Sequence, residues 1–326
     1  MAGTLTMKGQ ATAPVQKGRS PLSDAWRQLL QNRVAVVSGI FIIALIFVAI
    51  FAEYVAPHPY DGANFQFTDE PPFSTAENGD FYLLGTDKLG RGNLSRTIYG
   101  TRISLGVAFV ASSLSLLIGL GYGLLSGYGS SARDNLMMRI VDFLYGFPFI
   151  VFIILVQVVV KAYSSQGDVS GIWGSILAVD RAMGGVFIMF IAIGVISWLG
   201  MARIARGQVL SLKNKEFVEA AHAIGTTDRR ILTAHILPNI LGPCIVYETL
   251  AIPGYILSET FLSFIGLGAN PPTPSWGIMI SDSVGALRTA PWEVFVPAAA
   301  LTLTVLAFNF LGDGLRDAFD PRLRGE

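Results

Sequence analysis

The sequence predicts an all-α integral membrane protein with six transmembrane helices and both termini in the cytoplasm. Three observations predict it. Of 326 residues, 52% are hydrophobic and only 14% are charged, against about 25% charged in a soluble domain. The apolar residues gather into six runs, each near the ~20 residues that cross a ~30 Å hydrocarbon core. The basic residues also divide unevenly between the segments that link the runs, and this sets the orientation. Other classes are excluded by the same composition. The 23 basic and 23 acidic residues cancel, so no overall field draws the chain to nucleic acid. The lone Cys244 and the scattered His58, His222 and His235 give no metal-ligand pattern.

The elements follow in order. Residues 1–33 form a polar tail, in which Ser20 and Pro21 suit the start of a short amphipathic helix. Leu22, Trp26, Leu29 and Leu30 share one face of it, so it can lie on the inner membrane surface. The first run, 34–52, lies in a helix assigned to 34–56. It is too long for the ~7–15-residue core of a signal peptide, so it is a retained anchor. Residues 57–102 are predicted to be an extracytoplasmic loop, irregular over 57–82, which is rich in Pro, Gly and acidic side chains. Residues 103–315 then hold five more spans, and 316–326 are a second cytoplasmic tail.

The second run, 103–127, carries Ala111, Ser115, Gly119, Gly123 and Gly127 at intervals of four. On a helix they make a stripe that lets another helix approach closely, within this chain or in a partner. The third run is 143–160 and the fourth 182–202, joined by an outer loop that contains Trp173. The fifth, 240–264, is interrupted only by Glu248 and Glu259, and Pro253-Gly254 should bend it. An ionised Glu248 facing lipid would cost several kcal/mol. It therefore faces the bundle interior, where it can pair with a polar group of this chain or a partner, or a water-filled path, or is protonated, unless the helix starts later and Glu248 lies near the surface. Three prolines in 266–277 make a stiff connector before the sixth run, 294–312. With the amino terminus inside, sixteen basic residues fall on inner segments and seven on outer ones.

The inner segment 203–239 is much longer than two packed helices need as a link. Good helix formers at 215–223 end at Gly225, which can take the left-handed conformation. Thr226, Thr227 or Asp228 can then cap a second helix, 229–236, which Pro238 stops. Such a two-helix knob suits docking.

Glu219, Ala220 and Ala221, then Gly225, then His235, Ile236, Leu237 and Pro238 resemble the EAA loop. That loop marks permease subunits of ATP-binding-cassette importers. The general pattern has Ile at the place of His235. The His-Ile-Leu-Pro-Asn form is similar to the dipeptide, oligopeptide and nickel branch. Further motifs of that branch match at 84–87, 89–91, 94–96 and 100–105, at 259–277, and at 303–322. Gly92 departs from the usual Asp, and the 161–181 loop is longer than the family's.

The resemblance implies the type I importer permease fold, as the "C"-type subunit of a peptide importer in a bacterial or archaeal cytoplasmic membrane. Implied partners are a homologous "B"-type permease, two cytoplasmic ATPases that bind ATP and Mg, an external binding protein and the lipid bilayer. Residues 219–221, Gly225, Asp228, His235 and Pro238 would couple to the ATPase. Glu248 and Glu259 would be the polar groups inside the membrane. Asn309, Asp313, Arg316 and Asp317 would form a clasp at the inner end of the last helix. Nickel chelates, opines and oligosaccharides are the substrates of close relatives. The chain has no Gly-x-x-x-x-Gly-Lys-Ser/Thr loop, so no phosphate cradle of that type. It is not expected to be an enzyme. Its histidines lie outside the spans, so an intramembrane Ser-His protease is disfavoured. Hydropathy alone would also suit a passive channel or a receptor.

Overall fold

The structure, a computed structural model, describes residues 21–164 and 170–319. The tail 1–20 with Ser20, the middle of the long outer loop and the motif residues beyond 319 lie outside the described residues.

The chain is helical almost throughout: α1 (Pro21–Gln31), α2 (Arg33–Ile50), α3 (Ala52–Val55), a small hairpin of β1 (Ser74–Thr75) and β2 (Phe81–Tyr82), then α4 (Asn93–Tyr128), α5 (Ser131–Tyr145), α6 (Phe149–Ser164), α7 (Ile172–Ala182), α8 (Phe187–Leu212), α9 (Glu216–Ala223), α10 (Asp228–Arg230), a π-helical turn (Ile231–Ile236), α11 (Leu237–Phe264), α12 (Trp276–Ser283) and α13 (Trp292–Phe319). Five helices are long and apolar enough to cross a membrane: α2, α4, α8, α11 with the turn before it, and α13. The bent pair α5 and α6, 72° apart, would make a sixth.

α4 and α8 run parallel as the central pair. An added Cβ at Gly119 would lie 2.6 Å from Met201 Cβ, at Gly123 2.6 Å from Ala205 Cβ and at Gly127 2.9 Å from Val209 Cβ. The small-residue stripe is therefore used within the chain, and it lets the two backbones touch. Around this pair lies a core of Val107, Ala111, Met189, Phe190, Ile193 and Ile256.

The helix ends sort onto two faces. Arg102, on α4, donates to Ala49 O and Ile50 O at the end of α2, filling carbonyls that a helix end leaves open. Lys161, on α6, donates to Gly266 O and Gly268 O just past the end of α11. On the opposite face, Gly314 of α13 packs against Ala35 at the start of α2.

Several sequence expectations change here. α4 begins ten residues before 103, so the end of the expected 57–102 loop is helical, and the loop also contains the hairpin. Gly92 stands at the N-cap position of α4 with no side-chain cap. The usual Asp is a preferred capping residue there. α7 fills much of the loop expected at 161–181. α11 is one helix through Pro243 and Pro253. Pro238 does not stop the second short helix. The widened π turn just before it carries the backbone directly into α11, a device that inserts a residue without ending a helix. Finally, α1 does not expose one whole apolar face to a membrane surface. Ala25 and Leu29 pack with Ala35 and Ala318, against α2 and the end of α13, while Trp26 and Leu30 stay exposed.

Candidate functional site: the 203–239 loop, two buried carboxylates and the Asp87 collar

The 203–239 loop is anchored on one side and open on the other. Val218 and Ala221 of α9 are buried with Met201, Ala205, Val209, Ile231, Ile236 and Ile240. Glu219, Ala220 and His222 face outward with Phe217, and Ile224 at the tip is 83% exposed. Gly225 has φ 79°. Its N–H donates to His222 O at 2.9 Å, and Thr226 N–H donates to Ala221 O at 3.0 Å. These are the two bonds of a Schellman cap. No described atom lies within 4 Å of a Cβ at Gly225, so glycine is needed there for backbone conformation and not for space.

The sequence did not single out what ties the loop to the bundle. The Tyr128 hydroxyl, at the end of α4, donates to Asp228 Oδ1 at 2.9 Å and lies 3.2 Å from His222 Nε2. One hydroxyl thus bridges both arms of the loop. Lys213 donates to Gly127 O. Asp134 accepts two bonds from Arg206 at 2.6 Å and one from Ser126 at 2.5 Å. The signal was available: Ser126 to Tyr128 continue the small stripe into a polar end. Asp228, by contrast, does not cap the next helix. Thr227 holds the N-cap position, and no side chain caps there. His235 contributes its carbonyl, which accepts from Asn239 Nδ2 at 2.6 Å.

Both buried carboxylates of α11 find hydroxyl partners inside this chain. Glu248 accepts from Ser115 at 3.0 Å and from Tyr255 at 2.8 Å. Ser115 thus joins the stripe to a carboxylate, and no partner subunit is required for the pairing. Glu259 is fully buried and accepts from Ser263 at 2.6 Å and Ser104 at 3.3 Å. Near it Trp276 is buried and donates to Thr97 O, which ties α12 to α4. The proposed clasp is different. Asp313, Arg316 and Asp317 are exposed and form no ion pair among the described residues. The inner end of α13 is instead held by packing. Its small residues face inward, with Gly312 against Leu250 and Gly314 against Ala35 and Leu29.

At the opposite end of the bundle from the 203–239 loop, the 84–96 motif closes on Asp87. Its carboxylate accepts from Leu89 N at 2.9 Å, Arg91 N at 3.0 Å, Arg91 Nε at 2.8 Å and Arg96 Nη1. Burial would raise this carboxyl, but Arg96 and Arg91 outweigh burial and hold it below the usual carboxylate range. Gly90, at φ 72°, leaves no room for a Cβ beside Asn64 O. The collar therefore locks the outer loop onto the head of α4.

The family model described as "binding-protein-dependent transport system inner membrane component" matches residues 119–325. A second model, "N-terminal TM domain of oligopeptide transport permease C", matches residues 20–72. The chain belongs to this family of binding-protein-dependent inner-membrane permease components. It is similar to the oligopeptide transport system permease protein of Haemophilus influenzae, at 43% identity over 94% of this chain and 91% of that one. It is also similar to a dipeptide transport system permease protein of Bacillus subtilis, at 39% identity over 92% and 86%. A glutathione transport system permease protein of Pectobacterium atrosepticum is 37% identical over 96% of both chains.

Proposed function

We propose that this chain is the "C"-type half of a peptide importer in a bacterial cytoplasmic membrane. A homologous permease would supply the other half of the path. Two cytoplasmic ATPases would bind ATP and Mg and do the hydrolysis, and an external binding protein would deliver peptide. Peptide as the substrate class draws its support from relatives named for oligopeptide, dipeptide and glutathione transport. The observation that carries the energy-coupled mechanism is the inner loop. Its underside, with Val218 and Ala221, is fixed to α4, α8 and α11, and its other side, Phe217, Glu219, Ala220 and His222 to Gly225, is exposed. ATPase closure would move that side, and the polar ties at Tyr128, Asp134 and Lys213 would pass the motion to the central helix pair. The packed helices would then rock between inward-open and outward-open states.

Six crossings with both termini inside fit the geometry. Parallel α4 and α8 need an odd number of crossings between them, which α5 and α6 together can provide. A tagged copy purified in mild detergent should bring down a second permease and ATP-hydrolysing subunits. Recovery of the chain without any ATPase, under conditions that preserve its membrane fold, would contradict the reading.

Glu248 adds a separate expectation. Glu248→Gln replaces one acceptor oxygen by a donor between two hydroxyls, which costs about 1–3 kcal/mol. Thermal stability of the complex should fall, and uptake should fall to the same degree for acidic, neutral and basic peptides. A loss confined to basic peptides would place Glu248 on the path.

A further inference from the structure

Irregular backbone at membrane depth persists only where protein covers it or a cavity borders it. The bend between α5 and α6, at 146–148, borders a cavity of about 290 Å³ between that bend, α8 and α11. The cavity lining holds no Asp, Glu, Lys, Arg or His. Its polar groups are two serines and three tyrosines, and most are already engaged. Ser197 donates to Ile193 O and Ser258 to Gly254 O, each at 2.7 Å. Tyr255 donates to Glu248.

Tyr145 and Tyr247 differ. Neither hydroxyl has a hydrogen bond among the described residues, and both converge on Gly200. A Cβ at Gly200 would lie 3.2 Å from the Tyr145 hydroxyl and overlap that of Tyr247. Outside the cavity, Arg203 stacks 4.0 Å from the centre of the Tyr145 ring and pairs with Asp142 at 2.7 Å. That holds the ring in place.

We propose that this cavity is a side-chain pocket on the translocation path. Its apolar walls take an uncharged, apolar side chain of the passing peptide, and the Tyr145 and Tyr247 hydroxyls hydrogen-bond the adjacent peptide backbone. The proposal rests on the peptide reading above. The volume sits at the lower end of ligand pockets, so it suits a side chain and not a whole peptide. A charged side chain would enter without a counter-charge, which an apolar pocket penalises heavily.

The test is Gly200→Ala in the complete importer, reconstituted in vesicles with ATP inside and its binding protein outside. The new methyl forces the Tyr247 hydroxyl into the cavity. The probes are Ala-Phe-Ala, Ala-Ala-Ala and Ala-Glu-Ala. Taking the ratio of variant to wild-type uptake for each peptide removes the binding protein's own preference. The ratio for Ala-Phe-Ala should fall at least about fivefold below that for Ala-Ala-Ala, the scale set by lost room for apolar groups. The double variant Gly200→Ala with Tyr247→Phe removes the clashing oxygen together with one backbone hydrogen bond, so the ratios for all three peptides drop alike while the Ala-Phe-Ala ratio should return to within about twofold of that for Ala-Ala-Ala. In Gly200→Ala alone, an equal loss for all three peptides, or no loss for any, would overturn the pocket. So would a selective loss that the double variant leaves unrepaired. Uptake of none of the three peptides by the wild-type importer would overturn the peptide reading itself.

Discussion

Exchanging Asp87 for asparagine should loosen the whole outer collar. Arg96 is 3% exposed and Arg91 is 7% exposed, and Asp87 pairs with both. Removing one partner of a buried pair strands the other charge, at a cost of about 3–5 kcal/mol. Backbone amides at 85–96 should then exchange hydrogen at least about 100-fold faster, because local opening follows the lost free energy. The inner helices should keep their protection. The wild-type collar has a pH dependence of definite sign. The Asp87 pKa is lowered on folding, so its stabilisation is full above the ordinary aspartate value of about 3.9. It is lost only as pH falls further, through the lowered folded value. Protection at 85–96 should therefore hold at pH 5. Unchanged exchange in Asp87→Asn would show that the pair contributes nothing.

Gly225→Val should uncouple transport while leaving insertion and assembly intact. The left-handed conformation costs a residue with a Cβ about 1–2 kcal/mol, and a β-branched residue tolerates it poorly. No described residue crowds the position, so the damage is confined to the Schellman cap and the tip it shapes. A penalty of that size lowers the population of the correctly shaped tip by about tenfold. Uptake per ATP hydrolysed should fall accordingly. Gly225→Asn, which accepts this conformation far better, should keep most of the transport. Full uptake by the valine variant would remove the loop from the coupling route.

Much of this architecture was legible in the sequence because membranes impose a coarse and strict pattern. The long apolar runs correspond to the long helices, and Gly225 takes the backbone conformation its place at a helix end demanded. What could not be read is what depends on partners far apart in the chain. The stripe from Ala111 to Gly127 announced close packing but not against what; only the fold shows that α8 fills it. Glu248 announced a buried charge, but its hydroxyl partners come from Ser115 in another helix and Tyr255 two turns along its own. The charges near 313–317 suggested ion pairs, yet Gly312 and Gly314 beside them carry the contacts. Pro238 looked like a helix stop. In a bundle, backbone groups freed by proline can be satisfied by neighbours and by local π turns, and the helix continues. The collar arginines lay in a matched motif, but the motif did not say that they close on one carboxylate.

The most direct measurement is accumulation of a labelled tripeptide in vesicles that carry the reconstituted importer. Binding protein is supplied outside and Mg-ATP inside. The tripeptide should accumulate above the outside concentration, and accumulation should be lost when this chain is omitted and when ATP is withheld. Uptake that only reaches equilibrium, at the same rate with and without ATP, would show a passive pore and contradict it.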